Sequence, residues 1–175
     1  MKQQYRDNVF IKGQGLIEVL VAMGIAATII AAMTVAVTSS LSNAQFSQNQ
    51  TLATQFSQEG IDVMRNIRNI NYSYFSTLSG SYCLNQGVTT GSLPPEGAGC
   101  GRNINNTFQR KVTVEQNSSS CPVPSAVAPA VTNITKVVVI VAWQDGKCTS
   151  AANPFCHQAQ LTSCFSDLGA LVPTL

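Results

Sequence analysis

Residues 12–40 read KGQGLIEVLVAMGIAATIIAAMTVAVTSS. Within them, Leu16 to Val37 is a run of 22 residues interrupted only by Glu18, Gly24, Thr28 and Thr34. Wound as a helix at about 1.5 Å per residue, the run spans about 33 Å, enough for the hydrocarbon core of a bilayer. Ahead of it lie Lys2, Arg6 and Lys12 against the single acid Asp7. Such a basic flank keeps residues 1–13 in the cytoplasm and sends the C-terminal part outward. The rival reading is an ordinary secretory signal, cut at a small-x-small site for which Thr34-Val35-Ala36 is a weak match. A charge inside the apolar core and the length of the run both count against it. Glu18 itself has two readings. At about 3 Å from the edge of the run it can reach the headgroups at modest cost, or it is held there for a function.

The rest of the composition fits an anchored, exported domain. The chain has 175 residues, enough for one domain plus an anchor. Only 10% of them are charged, against about 25% in soluble domains. The net charge of +2 gives no case for nucleic-acid binding by the whole chain. All six cysteines (Cys83, Cys100, Cys121, Cys148, Cys156 and Cys164) lie in the C-terminal part, and none forms a C-x-x-C pair. That pattern favours disulfides and a compartment outside the cytoplasm.

No proline occurs before Pro94, and helical periodicity continues past the apolar run. Leu52, Phe56, Val63 and Ile67, flanked by Ala53, Gly60 and Met64, fall on one arc about 120° wide. Gln55, Gln58, Glu59, Asp62 and Arg65 lie opposite, with Asp62 and Arg65 paired at i,i+3. The spacing predicts one helix from Leu16 to Arg68, about 80 Å long, half in a membrane and half packed on a head. Ala22 and Ala26, Ala27 and Ala31, and Ala32 and Ala36 make small-xxx-small pairs that permit close helix approach.

Residues 69–106 are rich in Asn, Ser, Gly and Pro without a sustained period, and read as a connecting loop with at most one short strand. Thr107 to Glu115 alternates, with Phe108, Val112 and Val114 inward and Gln109, Lys111, Thr113 and Glu115 outward. Arg110 breaks the inward side, which predicts an outer strand. Residues 117–131 form a Ser/Pro/Ala-rich loop pinned at Cys121. Ile134 to Trp143 is nearly continuous Val and Ile, predicting a strand buried on both faces, one of them against the helix. After the Asp145-Gly146 turn, a strand from His157 to Phe165 is expected to face Ala159, Leu161 and Phe165 inward.

Six cysteines allow 15 pairings. Proximity favours Cys83–Cys100, with Cys121, Cys148, Cys156 and Cys164 forming two more bridges around the last hairpin. A zinc site from Cys156, His157 and Cys164 is disfavoured, because neighbours on a strand point to opposite faces. No metal and no cofactor is therefore expected. Nor is an enzyme: His157 is the only histidine, no Gly-rich phosphate loop follows a strand, and Glu96 and Glu115 read as separate, solvated acids. Arg102, Arg110 and Lys111 form a small basic cluster that reads as a solvated face rather than a DNA surface. Asn71, Asn105, Asn117 and Asn133 each match N-x-[ST], as chance allows in so Asn-rich a chain, and none is read as a glycosylation site.

Gly13-Gln14-Gly15-Leu16-Ile17-Glu18-Val19-Leu20 resembles the class III signal of type IV prepilins and of the pseudopilins of type II secretion. The resemblance implies cleavage by a prepilin peptidase after Gly13, N-methylation of the new terminus Gln14, and an assembly role for Glu18 as the fifth mature residue. The family usually has Phe where this chain has Gln14. The stretch from Ala53, ATQFSQEGIDVMRNIRN, is similar to the stalk of pilin-like proteins, and the ending VAWQDGK…QLTSCF to their head. Many major pilins carry a proline partway along the first helix; here Gly24 is the remaining candidate for local unwinding. The implied fold is α+β, a long N-terminal helix packed on a small antiparallel sheet of three or four strands. Its parts are a leader (1–13), a transmembrane and assembly half-helix (14–37), an amphipathic half-helix (38–68), an αβ loop (69–106) and a disulfide-bonded sheet (107–175). The implied function is that of a minor pilin, held in the membrane before assembly. Its partners are other pilin subunits, the prepilin peptidase and the pilus assembly machinery, with no small-molecule substrate. A secretion pseudopilin and a membrane-anchored binding domain that never polymerises are the alternatives. Removing the leader takes three of ten bases and one of eight acids, leaving seven of each.

Overall fold

Helical periodicity over an uninterrupted, proline-free segment produces α1, Gln14–Ile70. The structure, a computed structural model, describes residues 14–88, 92–97, 99–121, 134–149 and 154–166. After α1 come α2 (Tyr72–Thr77) and four strands: β1 (Gly80–Cys83), β2 (Phe108–Glu115), β3 (Ile134–Trp143) and β4 (His157–Ser166). The strands pair in chain order, every pair antiparallel. The protein is thus α+β, a long N-terminal helix with an antiparallel sheet of four strands.

The chain forms two compact units, Met1–Gln45 and Phe46–Leu175. In the first, every residue from Gly15 to Ser40 is exposed, including Leu16, Ile17, Ile30 and Val35. The segment is apolar and long enough to cross a membrane. Its threonines do not leave hydroxyls bare: Thr28 Oγ1 donates to Ile25 O (2.8 Å), Thr34 to Ile30 O (2.9 Å) and Thr38 to Thr34 O (3.0 Å). That local satisfaction is what lets hydroxyl side chains sit in a hydrocarbon environment.

In the second unit the remaining turns of α1 pack on the sheet. The apolar arc of the helix supplies Ala53, Ile61, Met64 and Ile67, each at most 5% exposed, and the sheet supplies Val112, Val137, Val139, Val141 and Trp143. Helix and sheet approach closely at Gly60. A Cβ there would lie 2.8 Å from Val139 Cγ1, so only glycine fits without displacement. Phe56 meets Phe108 edge-on at 5.3 Å, and the Arg68 guanidinium lies 5.3 Å from the centre of the Phe165 ring. β3 is central and buried along most of its length: Val137, Val139 and Val141 are fully buried, and Val138 and Ala142 on the opposite face nearly so. Along β4, Phe165 is buried while Ala159 and Leu161 are half-buried.

Two expectations need correction. The segment 69–106 is not only loop and one strand, because α2 forms within it. Its sequence YSYFST has no periodicity, but Asn71 caps it, accepting from Tyr74 N at 3.0 Å. Gln116 Nε2 closes the other end, donating to Phe75 O (3.1 Å) and Leu78 O (2.8 Å), while Phe75 is buried edge-on against Phe165. β2, in turn, is not an outer strand: it lies between β1 and β3, and Arg110 points inward with the apolar residues. The segments 1–13, 122–133 and 167–175, which include the leader and most of the 117–131 loop, lie outside the described residues.

Candidate functional site

Three places in the described chain concentrate chemistry. The first is Glu18, near the start of α1. No other charged residue occurs from Gln14 to Gln58. Glu18 is exposed, and among the described residues none forms an ion pair with it. Gln14, the first residue of α1, lies one helical turn before it in the chain; Gly13 lies outside the described residues.

The second is Arg110, fully buried on β2. Its Nε donates to Leu84 O (3.0 Å) and its terminal nitrogens to Phe56 O (3.1 Å) and Asn85 O (3.4 Å). An ion pair to Glu59 Oε1 at 3.2 Å completes the shell. Burial pulls the guanidinium below its ordinary pKa, and Glu59 opposes that shift. Its backbone is held as tightly: Arg110 N donates to Asn103 Oδ1 (2.7 Å), and Asn103 Nδ2 donates to Arg110 O (2.8 Å). One side chain therefore ties helix, sheet and the 84–103 loop together. This is architecture, with each of its three side-chain nitrogens aimed at a carbonyl or carboxylate of the chain. It also dissolves the expected basic cluster: Lys111 pairs with Glu96 (3.1 Å) and Arg102 donates to Gln144 Oε1 (2.7 Å). Glu96 and Glu115 are likewise not merely solvated, since Glu115 pairs with Lys136 at 3.2 Å.

The third lies where β3 hands over to β4. The cysteines pair as Cys83–Cys100, Cys121–Cys164 and Cys148–Cys156. Cys148–Cys156 closes the β3–β4 connection, beside Asp145 and His157. His157 Nε2 lies 2.9 Å from Asp145 Oδ2. The imidazole sits against Phe46 (5.0 Å between centroids) and Trp143 (5.5 Å). Lys147 N donates to Asp145 Oδ1 at 2.8 Å. That bond, with the nearby imidazole, holds the Asp145 carboxyl below its ordinary pKa. The argument that separated Cys156 from His157 fails here, because β4 begins at His157 and strand alternation does not extend back to Cys156. Cys164 is elsewhere, bonded to Cys121. Asp145 and Cys148 take its place, and only the fold of the connection brings them in. Among the N-x-[ST] positions, Asn71 is a helix cap, and Asn105 and Asn117 adopt positive φ (48° and 55°), the turn geometry Asn tolerates. Asn133 lies outside the described residues.

Compared with known proteins, the chain matches no family model, and no curated protein and no solved structure is significantly similar to it.

Proposed function

We propose that this chain is a prepilin-like structural subunit and not an enzyme, processed after Gly13 and assembled into a type IV pilus or related filament through α1. The observation that carries the reading is Glu18, a lone exposed carboxylate in the otherwise uncharged apolar half of α1, placed five residues after Gly13. After cleavage, Gln14 carries a positive amine one turn before that carboxylate. Within one helix the two meet poorly, since the amine is on the frayed first turn. A staggered neighbour can bring its own terminus alongside Glu18 and pair both charges away from water. Loss of one partner from such a buried pair costs about 3–5 kcal/mol, against about 0–1 for an exposed pair. The favourable helix-dipole contribution at Glu18 is smaller, about 0.3–1 kcal/mol. Before assembly the apolar half of α1 anchors the subunit in the cytoplasmic membrane, leader inside and disulfide-bonded head outside. A processed chain with seven bases and seven acids and a Ser/Asn-rich surface suits close packing of subunits.

The intact mass of membrane-extracted protein is expected to lack residues 1–13, with about 14 Da added by methylation of Gln14. A terminus near Val37 would instead establish an ordinary secretory signal. Glu18→Ala should leave insertion and cleavage intact and strongly reduce the subunit in sheared filaments, read by immunoblot. Glu18→Gln, nearly isosteric, should fail almost as badly because charge is what is lost. Normal incorporation of both variants would remove the assembly role.

A further inference from the structure

Among the described residues, one group of side chains has the donors and spacing of a metal centre. Single ligand atoms of Asp145, Cys148, Cys156 and His157 all lie within 4.8 Å of one another. Two thiolates, an imidazole and a carboxylate are a tetrahedral zinc donor set. With bonds of about 2.0–2.1 Å, tetrahedral zinc holds its nitrogen and oxygen ligands about 3.3 Å apart. His157 Nε2 and Asp145 Oδ2 are already at 2.9 Å.

The framework around these donors is preset. Asp145 Oδ1 is occupied by Lys147 N–H, which leaves Oδ2 turned to the imidazole. Cys148 N donates to Asp145 O at 3.2 Å, closing the turn that keeps both residues on one side. His157 faces Trp143 in the β3–β4 register, with its ring against Phe46 and Trp143. Its Nε2 is out of solvent, yet its contact with Asp145 lacks hydrogen-bond geometry. A buried ring nitrogen in that position calls for a partner.

The two sulfurs are bonded to each other in the structure, so metal binding requires their reduction. Of the three bridges this is the one most open to it. Cys83 and Cys121 are buried in their bridges, whereas Cys148 is half-exposed and Cys156 exposed. Its partners are 8 residues apart, against 17 and 43 for the others, so it constrains the unfolded chain least. Access favours exchange at this pair first, and its short loop means that opening it costs the fold least.

We propose that Asp145, Cys148, Cys156 and His157 form a thiol-gated zinc site, closed while Cys148–Cys156 is a disulfide and able to bind one Zn²⁺ once it is reduced. A dithiol reductant gives two electrons and two protons to the bridge and becomes a disulfide itself. Zn²⁺ then displaces the two thiol protons, the sulfurs parting to about 3.8 Å. A disulfide oxidant that takes two electrons from the two thiolates, and two protons from water to become a dithiol, re-forms the bridge and releases the metal. The proposal departs from the expectation of a metal-free chain and stands independently of filament assembly.

The test uses the full chain in detergent, reduced with graded amounts of a phosphine, which gives each bridge two electrons and takes oxygen from water to become its oxide, the water supplying the two thiol protons. Alkylation mapping selects the dose at which Cys148 and Cys156 alone are free. At that dose one equivalent of Co²⁺ should produce thiolate-to-metal charge transfer and tetrahedral visible bands, and Zn²⁺ should bleach them. Zn²⁺ should also protect both thiols from alkylation, a readout that needs no variant. His157→Ala should weaken binding at least about 10-fold, since loss of a direct ligand exceeds the usual loss on removing an outer partner. Asp145→Asn should weaken it less. Absence of both the cobalt bands and the protection overturns the site. Unchanged affinity in His157→Ala overturns the ligand assignment, and opening of all three bridges together at every dose overturns the gating.

Discussion

The two ends of α1 are built on opposite principles. From Gly15 to Ser40 its side chains are exposed and, apart from Glu18, uncharged. From Leu52 to Ile67 an apolar arc is buried on the sheet, and Glu59, Asp62 and Arg65 line the other side. A helix that is apolar all round has no preferred face in water and is covered by lipid or by other helices. A helix with one apolar arc is fixed by whatever fills that arc. Changes in the second part should therefore be felt by the head, and equivalent changes in the first should not.

The largest effect is expected at Arg110, which joins the docked helix to the sheet. Arg110→Ala removes the side-chain donors to the carbonyls of Leu84 and Asn85 and opens a cavity between helix and sheet, while the Phe56 carbonyl loses only a second donor beyond its helical bond. Each buried acceptor left unpaired costs about 1–3 kcal/mol. Glu59 adds little, because its side chain is 49% exposed and can return to water. A loss of about 3–5 kcal/mol is expected. Trp143, the only tryptophan and 2% exposed, reports head unfolding by fluorescence. A midpoint within a degree or two of wild type would show that Arg110 does not hold the helix to the sheet.

Glycine supplies a matched pair for the same comparison. A Cβ at Gly60 meets Val139 at 2.8 Å, whereas one at Gly24 meets nothing within 4 Å. Gly60→Ala should cost about 1–3 kcal/mol by overpacking. Gly24→Ala should leave the Trp143 transition where it is, while favouring the helix by about 1 kcal/mol locally. Equal head stability in the two variants would break the distinction between the parts of α1.

What the sequence makes legible follows the same division. α1 and the three longer strands could be placed because their patterns run over many residues: an apolar run, an arc at helical period, an alternation and a Val/Ile block. α2 could not, since its six residues are held by partners distant in sequence, Gln116 and Phe165. β2 was locatable but not its place in the sheet. The alternation Phe108, Arg110, Val112, Val114 already puts Arg110 inward, and only the prior that a charge is exposed argued for an edge. The acceptors that make burial tolerable are backbone carbonyls, which leave no residue-type signature. For the Asp145–His157 group, the two cysteines and the histidine are visible in sequence, but Asp145 enters only through the turn that Cys148 N–H closes. Glu18 is legible as an anomaly from the cost of a charge in an apolar run alone, and the role proposed for it rests on its spacing to Gly13.

The smallest effect is expected on the solvent side of the docked helix. Asp62 and Arg65 form an i,i+3 ion pair there, with Arg65 51% and Asp62 69% exposed. Water screens both charges, and ordering two side chains consumes much of the attraction. Asp62→Asn should therefore lower head stability by no more than about 0.5 kcal/mol. The difference should vanish at about 1 M salt, where the screening length falls to about 3 Å. Equilibrium denaturation of both proteins at low and high salt, followed by Trp143, measures it. A salt-insensitive loss above about 1 kcal/mol would mean that the solvent-facing side of the helix contributes to stability in its own right. The docking of α1 could then no longer be assigned to its apolar arc and Arg110 alone.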